Sequence, residues 1–326
     1  MRHSLIFPRG GGPDDPAGLD SDRLGTRSRM SRSDTIELRA GRRRVAITHA
    51  DKLLFAADGI SKADLARYYV RVGPVMSPHL RDRPLNLWRW NAGIEGQRVV
   101  QQEIPKGAPP WVRRTEVVKR GGGTVCHIVG GDPATLVWMA NQNCITPHAW
   151  SARRDRPDRP DRLIFDLDPP GADAFGIVRD AALALGELLR AHGLVPFAMV
   201  TGSKGVHVVA PLRRTATADA VRDRAGELGQ ELADRDPDRL TTAWRKEKRG
   251  GRVLVDTARN TYAQTVVAPY AVRALPGAPV AVPLVWEELE DPGVHAQRWT
   301  LRTLPERLDA VGDPWADIAR HARALP

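Results

Sequence analysis

Two aspartates, Asp166 and Asp168, stand one residue apart in the otherwise apolar segment LIFDLDPP. In a strand the side chains alternate between two faces, so both carboxylates would point to the same side. Two neighbouring carboxylates repel each other at neutral pH unless a cation or a proton lies between them. A strand that runs into a polar loop and stops at Pro169 and Pro170 explains the same letters equally well. The pair alone leaves both interpretations open.

A third carboxylate, Asp256, lies in the segment RVLVDT, where a strand would place it on the same face as Leu254. Three aspartates from two strands can hold two Mg²⁺ or Mn²⁺ ions, which are hard cations that prefer oxygen ligands. Two such ions, ~3.5–4 Å apart, clamp the attacking and leaving oxygens of a phosphoryl displacement. The sequence therefore predicts metal-assisted phosphoryl transfer.

The segment VTGSKGVHVVAP lies between the two predicted carboxylate strands. Gly202 and Gly205 would let backbone N–H groups approach an anion closely, and Lys204 adds a positive charge. The Walker A pattern is absent, and an ordinary turn between strands gives the same four letters. A buried structural histidine is the usual alternative for His207 on the following strand. Between metal-type carboxylates, the turn and the histidine together predict a triphosphate pocket.

Periodic runs along the chain predict the elements that would position these residues. Two alternating runs after Thr35, IELRA and RRVAITHA, predict a hairpin, and Ser61-x-x-Asp64 predicts the capped start of an amphipathic helix. Further strands are expected at 85–90, 163–168, 196–201, 206–211 and 252–257, and further helices at 172–192 and 217–234. Irregular structure is expected in the basic loop 104–123 and in 153–161, a charged and proline-broken surface connector. The second half therefore predicts a sheet with helices packed on it.

Length and charge limit the classes of function. The 326 residues predict two lobes, at 36–152 and 153–326, after a Gly-, Pro- and Asp-rich segment, 1–35, that reads as a disordered tail. Lys and Arg number 49 against 39 Asp and Glu, and a net charge of +10 favours nucleic acid as the partner. No apolar run approaches the ~20 residues of a membrane span. Cys126 and Cys144 are too few for a disulfide scaffold, which fits a reducing cytosol.

The segments DLDPP, TGSKGVH, VDTARNTYAQTVVAPYAVRA and PLVWEEL closely resemble the polymerase domain of bacterial ATP-dependent ligase D. That domain belongs to the archaeo-eukaryotic primase superfamily and serves DNA end joining. The resemblance extends from about Glu37 to about Ala310. It implies an α+β primase fold, with a central mixed sheet, flanking helices and a smaller N-terminal lobe. Because no K-x-D-G ligase signature appears, we expect a stand-alone polymerase or an excised domain.

The resemblance also assigns roles to individual residues. It implies that Asp166, Asp168 and Asp256 hold the divalent ions. It implies nucleotide binding by His148, Thr201, Ser203, Lys204, His207, Arg259 and Arg273, although the family usually has serine where this chain has Thr201. It implies that Lys52 and Lys62 grip a 5′-phosphate on the DNA end. Taken singly, each arginine or lysine is equally explained as a solvated surface charge.

One segment departs from the family. The family commonly carries two adjacent phenylalanines that stack on the template base, and this chain has Val99 and Val100 at those places. Valine lacks the aromatic face that makes base stacking worth ~1–3 kcal/mol. The sequence therefore predicts that these two positions do not stack on the template.

The function expected from the resemblance is DNA-dependent nucleotidyl transfer. The enzyme would extend a primer 3′-OH with ribo- or deoxyribonucleoside triphosphates at DNA ends or gaps during end joining and release pyrophosphate, with Ku and a separate DNA ligase as partners, in the nucleoid region of a bacterial cytoplasm. The alternatives are a gap-filling excision-repair polymerase or primase and a non-catalytic DNA-end-binding module. A D-x-D phosphatase or sugar transferase fits poorly, because Pro169 stands where the phosphatase pattern needs Thr or Val.

Overall fold

Two six-stranded sheets organise the chain, and the predicted carboxylate strands lie in the second of them. The computed structural model describes residues 34–171 and 174–326. Nearly all of the predicted tail, 1–33, lies outside the described residues, as do residues 172 and 173 at the predicted start of a helix.

The elements are named here in chain order. The strands are β1 (Ile36–Ala40), β2 (Arg43–Ile47), β3 (Leu53–Phe55), β4 (Ile60–Ser61), β5 (Pro84–Trp90), β6 (Arg98–Gln101), β7 (Arg114–Val118), β8 (Thr124–Val129), β9 (Cys144–Trp150), β10 (Ala152–Arg153), β11 (Arg156–Pro160), β12 (Arg162–Asp168), β13 (Phe197–Val200), β14 (Val206–Pro211), β15 (Leu240–Thr241), β16 (Val253–Asp256), β17 (Thr265–Val267) and β18 (Val282–Pro283). The helices are α1 (Lys62–Leu80), α2 (Pro133–Asn141), α3 (Phe175–Ala191), α4 (Ala218–Arg235) and α5 (Leu304–Val311). Short 3₁₀ turns cover Lys246–Lys248, Ala258–Asn260, Trp286–Glu290 and Ile318–His321.

The second sheet is mixed, as the resemblance implies. Its strand order is β15-β16-β12-β14-β13-β18, and only the β15–β16 pair in this sheet is parallel. Leu163, Phe165 and Leu167 are fully buried on β12, with α4 packed against β12 and α3 against both β12 and β14. A strand buried on both faces reads as a nearly continuous apolar run, and this is why the carboxylates of β12 stand out in the sequence.

The first sheet has the order β17-β9-β5-β8-β7, and β6 pairs with the second half of β5, Leu87–Trp90, beyond the two residues that pair with β8. The strand predicted at 85–90 is confirmed as β5. The expectation of irregular structure throughout 104–123 is wrong for its second half, because β7 pairs with β8 in register from Arg114↔Ile128 to Val118↔Thr124. The β-branched residues of RTEVV favour an extended chain, and Val117 is buried.

The connector expected at 153–161 is also partly wrong. Strands β10 and β11 form a small antiparallel hairpin, in which Ala152 pairs with Pro160. The Asp161 carboxylate accepts a hydrogen bond from Arg153 Nε at 2.9 Å and ties the hairpin ends together. Proline is compatible with a two-stranded ladder because its missing N–H can face solvent.

The predicted hairpin and helix caps are confirmed. Strands β1 and β2 pair antiparallel. The Ser61 hydroxyl accepts a hydrogen bond from Asp64 N at 3.2 Å, and the Asp64 carboxylate accepts one from Ser61 N at 2.9 Å, which completes a capping box at the start of α1. Helix α1 buries the predicted apolar face, Leu65, Tyr69, Val72 and Met76. Gly193 follows α3 with φ +74°, a conformation that favours glycine.

The boundary between lobes at 152/153 stays a prediction. The described residues cluster as one unit from Asp34 to Pro326. The two large sheets follow the predicted division except for β17, which pairs with β9 in the first sheet. Both cysteines carry free thiols. None of the described helices combines the length and apolar character that crossing a bilayer requires.

Helix α3 approaches the 3₁₀ turn at Trp286–Glu290 so closely that only glycine fits at position 186. A Cβ added to Gly186 would lie 2.1 Å from Cζ2 of Trp286. We expect Gly186→Ala to lower the free energy of unfolding by about 1–3 kcal/mol, because the indole must be displaced. Urea denaturation measures the change.

The matched control is Gly226→Ala in the interior of α4, where an added Cβ meets nothing within 4 Å. Alanine is the better helix former, so this variant should gain up to ~1 kcal/mol. Equal stabilisation by both substitutions would contradict the packing seen around Gly186.

Candidate active site

Three carboxylates converge on one face of the second sheet. Strand β12 pairs antiparallel with β16 so that Asp166 lies directly opposite Asp256, while Asp168 lies opposite Leu254. Directly opposed residues share a face, with Cβ atoms ~4.5–5.5 Å apart, and Asp168 follows on that face by the two-residue period. Asp166 and Asp256 are buried, and Asp168 is partly exposed at the strand end. The pattern predicted from the sequence is therefore assembled in the fold.

Two nitrogen-bearing side chains, His207 and Arg259, lie against this group. His207 on β14 pairs with Asp166 across the other edge of β12, and its Nε2 lies 3.4 Å from Asp166 Oδ1. Arg259, in the 3₁₀ turn after β16, places Nε 3.4 Å from Asp166 Oδ2 and 3.5 Å from Asp256 Oδ2. The Asp256 carboxylate also accepts a hydrogen bond from Ala258 N at 2.8 Å, which fixes the start of that turn.

The carboxylates respond differently to this environment. Burial and the neighbouring carboxylate of Asp166 raise the pKa of Asp168 to about 6. Burial also raises the pKa of Asp256. Burial opposes ionisation of Asp166 as well, but His207 and Arg259 outweigh it, and the pKa of Asp166 lies below its usual value. The raised pKa values of Asp168 and Asp256 show that the neighbouring positive groups do not fully offset the cost of burying these carboxylates.

The cluster has the donors that a hard divalent cation prefers, namely carboxylate oxygens on one face. Among the described residues, no group of three or more His, Cys, Asp or Glu side chains is arranged to hold a metal ion. The Arg259 side chain lies between Asp166 and Asp256, where its Nε attracts both carboxylates. The donor set and its uncompensated charge thus fit divalent cations, provided that Arg259 withdraws from between the two carboxylates.

The GSKG turn joins β13 to β14 beside the carboxylates. Its glycines are required by close packing: a Cβ at Gly205 would lie 1.9 Å from Leu167 O, and a Cβ at Gly202 would lie 2.5 Å from Val280 C. Ser203 N and Gly205 N donate to Thr201 Oγ1 at 3.3 and 3.2 Å.

The glycine pattern predicts backbone N–H groups that face an anion. Instead, Ser203 N and Gly205 N are used in hydrogen bonds inside the turn. A serine hydroxyl would accept the same two bonds, so the threonine at position 201 preserves this role. Lys204, in contrast, is exposed, and it lines a cavity of about 390 Å³ together with Asp168.

Arg273 and His148 extend the site toward the first sheet. Arg273 Nη1 donates to Thr201 O at 3.1 Å, and its guanidinium is close enough to His148 to affect that ring's charge. Burial, Arg273 and Arg259 together hold the pKa of His148 well below its usual range, so the ring is neutral. Neither ring nitrogen of His148 has a hydrogen-bond partner among the described residues. A buried ring with a free donor and a free acceptor is suited to contact a ligand.

The structure adds residues that sequence reasoning missed. Trp88 stacks on His148 with ring centroids 3.7 Å apart and an interplanar angle of 11°. Arg98 also lies over the Trp88 ring, with its Cζ 4.3 Å from the ring centroid. Lys246 and Arg249 line the cavity beside Asp168 and Lys204. The basic run KEKRGG could have indicated Lys246 and Arg249 as candidate phosphate-binding residues. Nothing in LNLWRW indicates that Trp88 contacts His148 on the neighbouring strand.

The two predicted phosphate-gripping lysines lie together but differ in exposure. Lys52 is half-buried, and its Nζ donates to Asn91 O. Lys62 is only 3% exposed, and its Nζ donates to Thr48 O at 2.8 Å and Asn141 O at 3.2 Å. Burial, Lys52 and Arg89 lower the pKa of Lys62 to about 8. Lys52, Lys62 and Arg89 therefore lie close together, and Arg89 was not among the residues predicted from the sequence.

Val99 and Val100 lie on β6, opposite Arg89 and Trp88 of β5. Their side chains are 41% and 47% exposed. They present aliphatic groups to solvent beside Arg89, and the expectation that these two positions do not stack on the template stays a prediction.

Comparison with known proteins agrees with this geometry. Residues 61–315 match the family described as LigD, primase-polymerase domain. The chain is 34% identical over 265 residues to the multifunctional non-homologous end joining DNA repair protein LigD of Mycobacterium tuberculosis, an alignment that covers 78% of this chain and 35% of that protein. It is also 34% identical over 284 residues to the multifunctional non-homologous end joining protein LigD of Pseudomonas aeruginosa, which covers 86% of this chain and 34% of that protein. The chain thus spans about a third of the length of these curated relatives.

A solved structure shares the fold. The polymerase domain from Mycobacterium tuberculosis ligase D in complex with DNA aligns with a TM-score of 0.80 and 30% sequence identity, over 86% of this chain and 99% of that one. The α+β primase-polymerase fold expected from the motifs is therefore confirmed. The chain belongs to the LigD primase-polymerase domain family.

Proposed function

We propose that this protein is a DNA-dependent nucleotidyltransferase that extends a primer 3′-OH during the repair of broken DNA by end joining. The observation that carries the proposal is the convergence of Asp166, Asp168 and Asp256 on one face, near a neutral His148 whose ring nitrogens have no partner among the described residues. Membership of the LigD primase-polymerase family supports the reaction class, and the DNA bound to the related polymerase domain supports the substrate class.

In this proposal the three aspartates hold two Mn²⁺ or Mg²⁺ ions. Divalent ions bound there would neutralise charge on the reacting phosphates and bring the 3′-hydroxyl and the leaving pyrophosphate into line. Arg259 lies between Asp166 and Asp256 and can turn outward when the ions take its place, because its side chain is one-third exposed. Its guanidinium would then face the phosphates of the incoming nucleotide, for which its planar fork is well shaped.

The remaining cationic groups would bind the triphosphate. Arg273, held by Thr201 O, and Lys204, at the mouth of the cavity beside Asp168, provide positive charge on both sides of the carboxylates. His148 would donate one hydrogen bond from its neutral ring, while Trp88 fixes the ring plane. Ser203 and His207 complete the proposed nucleotide site, with His207 orienting Asp166.

The lysine cluster would recognise the DNA. Lys52, Lys62 and Arg89 concentrate positive charge near the start of α1, and a terminal 5′-phosphate carries more charge than an internal phosphodiester. We propose a gapped or broken duplex with a 5′-phosphate as the substrate, and Ku and a DNA ligase as partners in the same repair reaction. The names of the curated relatives, which are end-joining proteins, favour this role over excision repair.

The carboxylates can be tested by Asp256→Asn. Asparagine keeps an oxygen for the hydrogen bond from Ala258 N, so the turn should stay folded. We expect primer extension to fall about 100-fold or more, because the lost charge weakens an ion site worth several kcal/mol, while affinity for duplex DNA stays within about twofold. Extension with Mn²⁺ and filter binding measure the two quantities.

Asp238→Asn is the control, since it removes the same charge from an exposed position. It should extend primers at the wild-type rate. Full activity of Asp256→Asn would contradict the role of this carboxylate.

The lysine cluster can be tested by the pH dependence of 5′-phosphate recognition. The Lys62 ammonium is protonated below its pKa of about 8 and loses its proton above it. Preference for gapped DNA with a downstream 5′-phosphate should be about tenfold near pH 7, from ~1.5–3 kcal/mol per charged hydrogen bond, and should decline as pH rises through and above 8. Fluorescence anisotropy with phosphorylated and unphosphorylated DNA gives the ratio of the two Kd values.

Lys62→Met should show a smaller preference that no longer changes between pH 7 and 9.5, and Lys52→Ala should also reduce it. Lys119→Met, at the exposed tip between β7 and β8, should behave like wild type. Retention of the full, pH-dependent preference in Lys62→Met would show that this lysine only supports the fold.

A further inference from the structure

A second cationic cavity lies at the opposite end of β12 from Asp168. Its volume is about 640 Å³, within the ~300–1,000 Å³ range of small-molecule sites. Six arginines line it: Arg81, Arg83, Arg153, Arg162, Arg213 and Arg214. Arg162 begins β12 four residues before Asp166, a separation of about 13 Å along an extended strand. The cavity is therefore distinct from the cluster of catalytic carboxylates.

Two of these arginines share one carboxylate, that of Asp161. Arg83 Nη2 lies 2.6 Å from Asp161 Oδ1, and Arg153 Nε lies 2.9 Å from Asp161 Oδ2. Arg214 is paired elsewhere, with both of its terminal nitrogens on Asp155 at 2.7 and 2.8 Å.

Within the described part of the chain, no carboxylate lies within ion-pair distance of the other three arginines, Arg81, Arg162 and Arg213. The lining thus has an excess of positive charge that protein groups do not neutralise.

Arg162 is the most unusual of these residues because it is buried. It is 6% exposed, and the described residues provide one hydrogen-bond acceptor for it, His79 O at 3.2 Å from Nη2. A guanidinium has five N–H groups, so most of its donors remain for another partner. Burial and the nearby Arg83 lower the pKa of Arg162 to about 9. Asp161 and Asp313 act on Arg162 from beyond ion-pair distance and offset only part of the cost of burying it, and an anion entering the cavity would relieve the rest.

The positions of the arginines indicate how an anion would be held. Arg83 and Arg162 lie at the base of the cavity, whereas Arg81 and Arg213 are exposed and lie at its rim. A ligand must carry negative charge at two depths to use both pairs. Arginine favours phosphoryl oxygens, which accept two parallel N–H bonds. A phosphate in an intact duplex is joined to two sugars and would reach only the rim.

We propose that this cavity binds a small molecule carrying two or more linked phosphoryl groups, such as pyrophosphate or the phosphate chain of a nucleotide. One phosphoryl group would contact Arg162 at the base, and the next would lie between Arg81 and Arg213. The proposal rests on the cavity and its charges and does not depend on the proposed polymerase function.

Titration calorimetry with metal-free tripolyphosphate, in low salt and on the whole chain, tests the proposal. Arg81→Ser with Arg213→Ser should weaken binding at least tenfold, since both rim charges are lost and neither is in an ion pair. The control, Arg44→Ser with Arg67→Ser, removes the same charge from exposed positions outside the cavity and should leave the affinity unchanged. Equal weakening in both double variants would mean unspecific charge attraction and would overturn the proposal.

Two further measurements distinguish the cavity from the catalytic site, and a small phosphate ligand from the phosphates of DNA. Arg259→Gln, in the proposed catalytic site, separates the two phosphate sites: if tripolyphosphate affinity falls in Arg259→Gln and not in the Arg81→Ser/Arg213→Ser variant, the ligand binds at the catalytic site and the cavity proposal is refuted. A short duplex should lose little affinity in the rim variant. If the Arg81→Ser/Arg213→Ser variant binds duplex DNA tenfold more weakly and tripolyphosphate does not bind to wild type, the cavity rim binds DNA and the small-ligand site is refuted. Arg162→Met, checked for folding by circular dichroism, should abolish tripolyphosphate binding, and unchanged binding in a folded Arg162→Met would equally refute it.

Discussion

The pairing of β12 with β14 on one side and β16 on the other is the constraint on which the candidate site depends. It places Asp166 between His207 and Asp256 inside a sheet that is otherwise apolar. Buried carboxylates at this spacing are unfavourable unless cations compensate them. Arg259 provides part of this compensation from the turn after β16, and the raised pKa values of Asp168 and Asp256 show that it is incomplete. Additional positive charge at this position would therefore stabilise the ionised carboxylates.

The surroundings of the carboxylates follow from this imbalance. Arg273 and Lys204 approach from segments that the sheet order brings beside β12, and the glycines of the GSKG turn permit that approach because their backbones touch Leu167 and Val280. The first sheet contributes His148, which stacks on Trp88 and whose ring nitrogens find no partner in the described part of the chain. Carboxylates on one sheet and a neutral donor on the other are the groups that the proposed metal ions and nucleotide would require.

Sequence patterns predicted the local features well because those features are set by neighbouring residues. The carboxylate strands, the Ser61 capping box and the glycine after α3 all depend on short-range periodicity and hydrogen bonding. The strand at Arg114–Val118 was missed because its stability comes from pairing with β8 and not from an alternating pattern.

Long-range consequences could not be predicted from the sequence in the same way. The burial of Lys62, the stacking of Trp88 on His148 and the gathering of six arginines from distant segments all require knowledge of which elements become neighbours. The family motifs assigned the roles of Asp166, Asp168 and Asp256, while the structure explains why they lie together. The proposed metal site formed by these aspartates is tested most directly by counting bound Mn²⁺ with electron paramagnetic resonance, in the presence of a non-hydrolysable nucleoside triphosphate. We predict two ions per wild-type chain and fewer than one in a chain carrying Asp166→Asn and Asp168→Asn; equal Mn²⁺ binding by the two proteins would contradict a metal centre on β12 and β16.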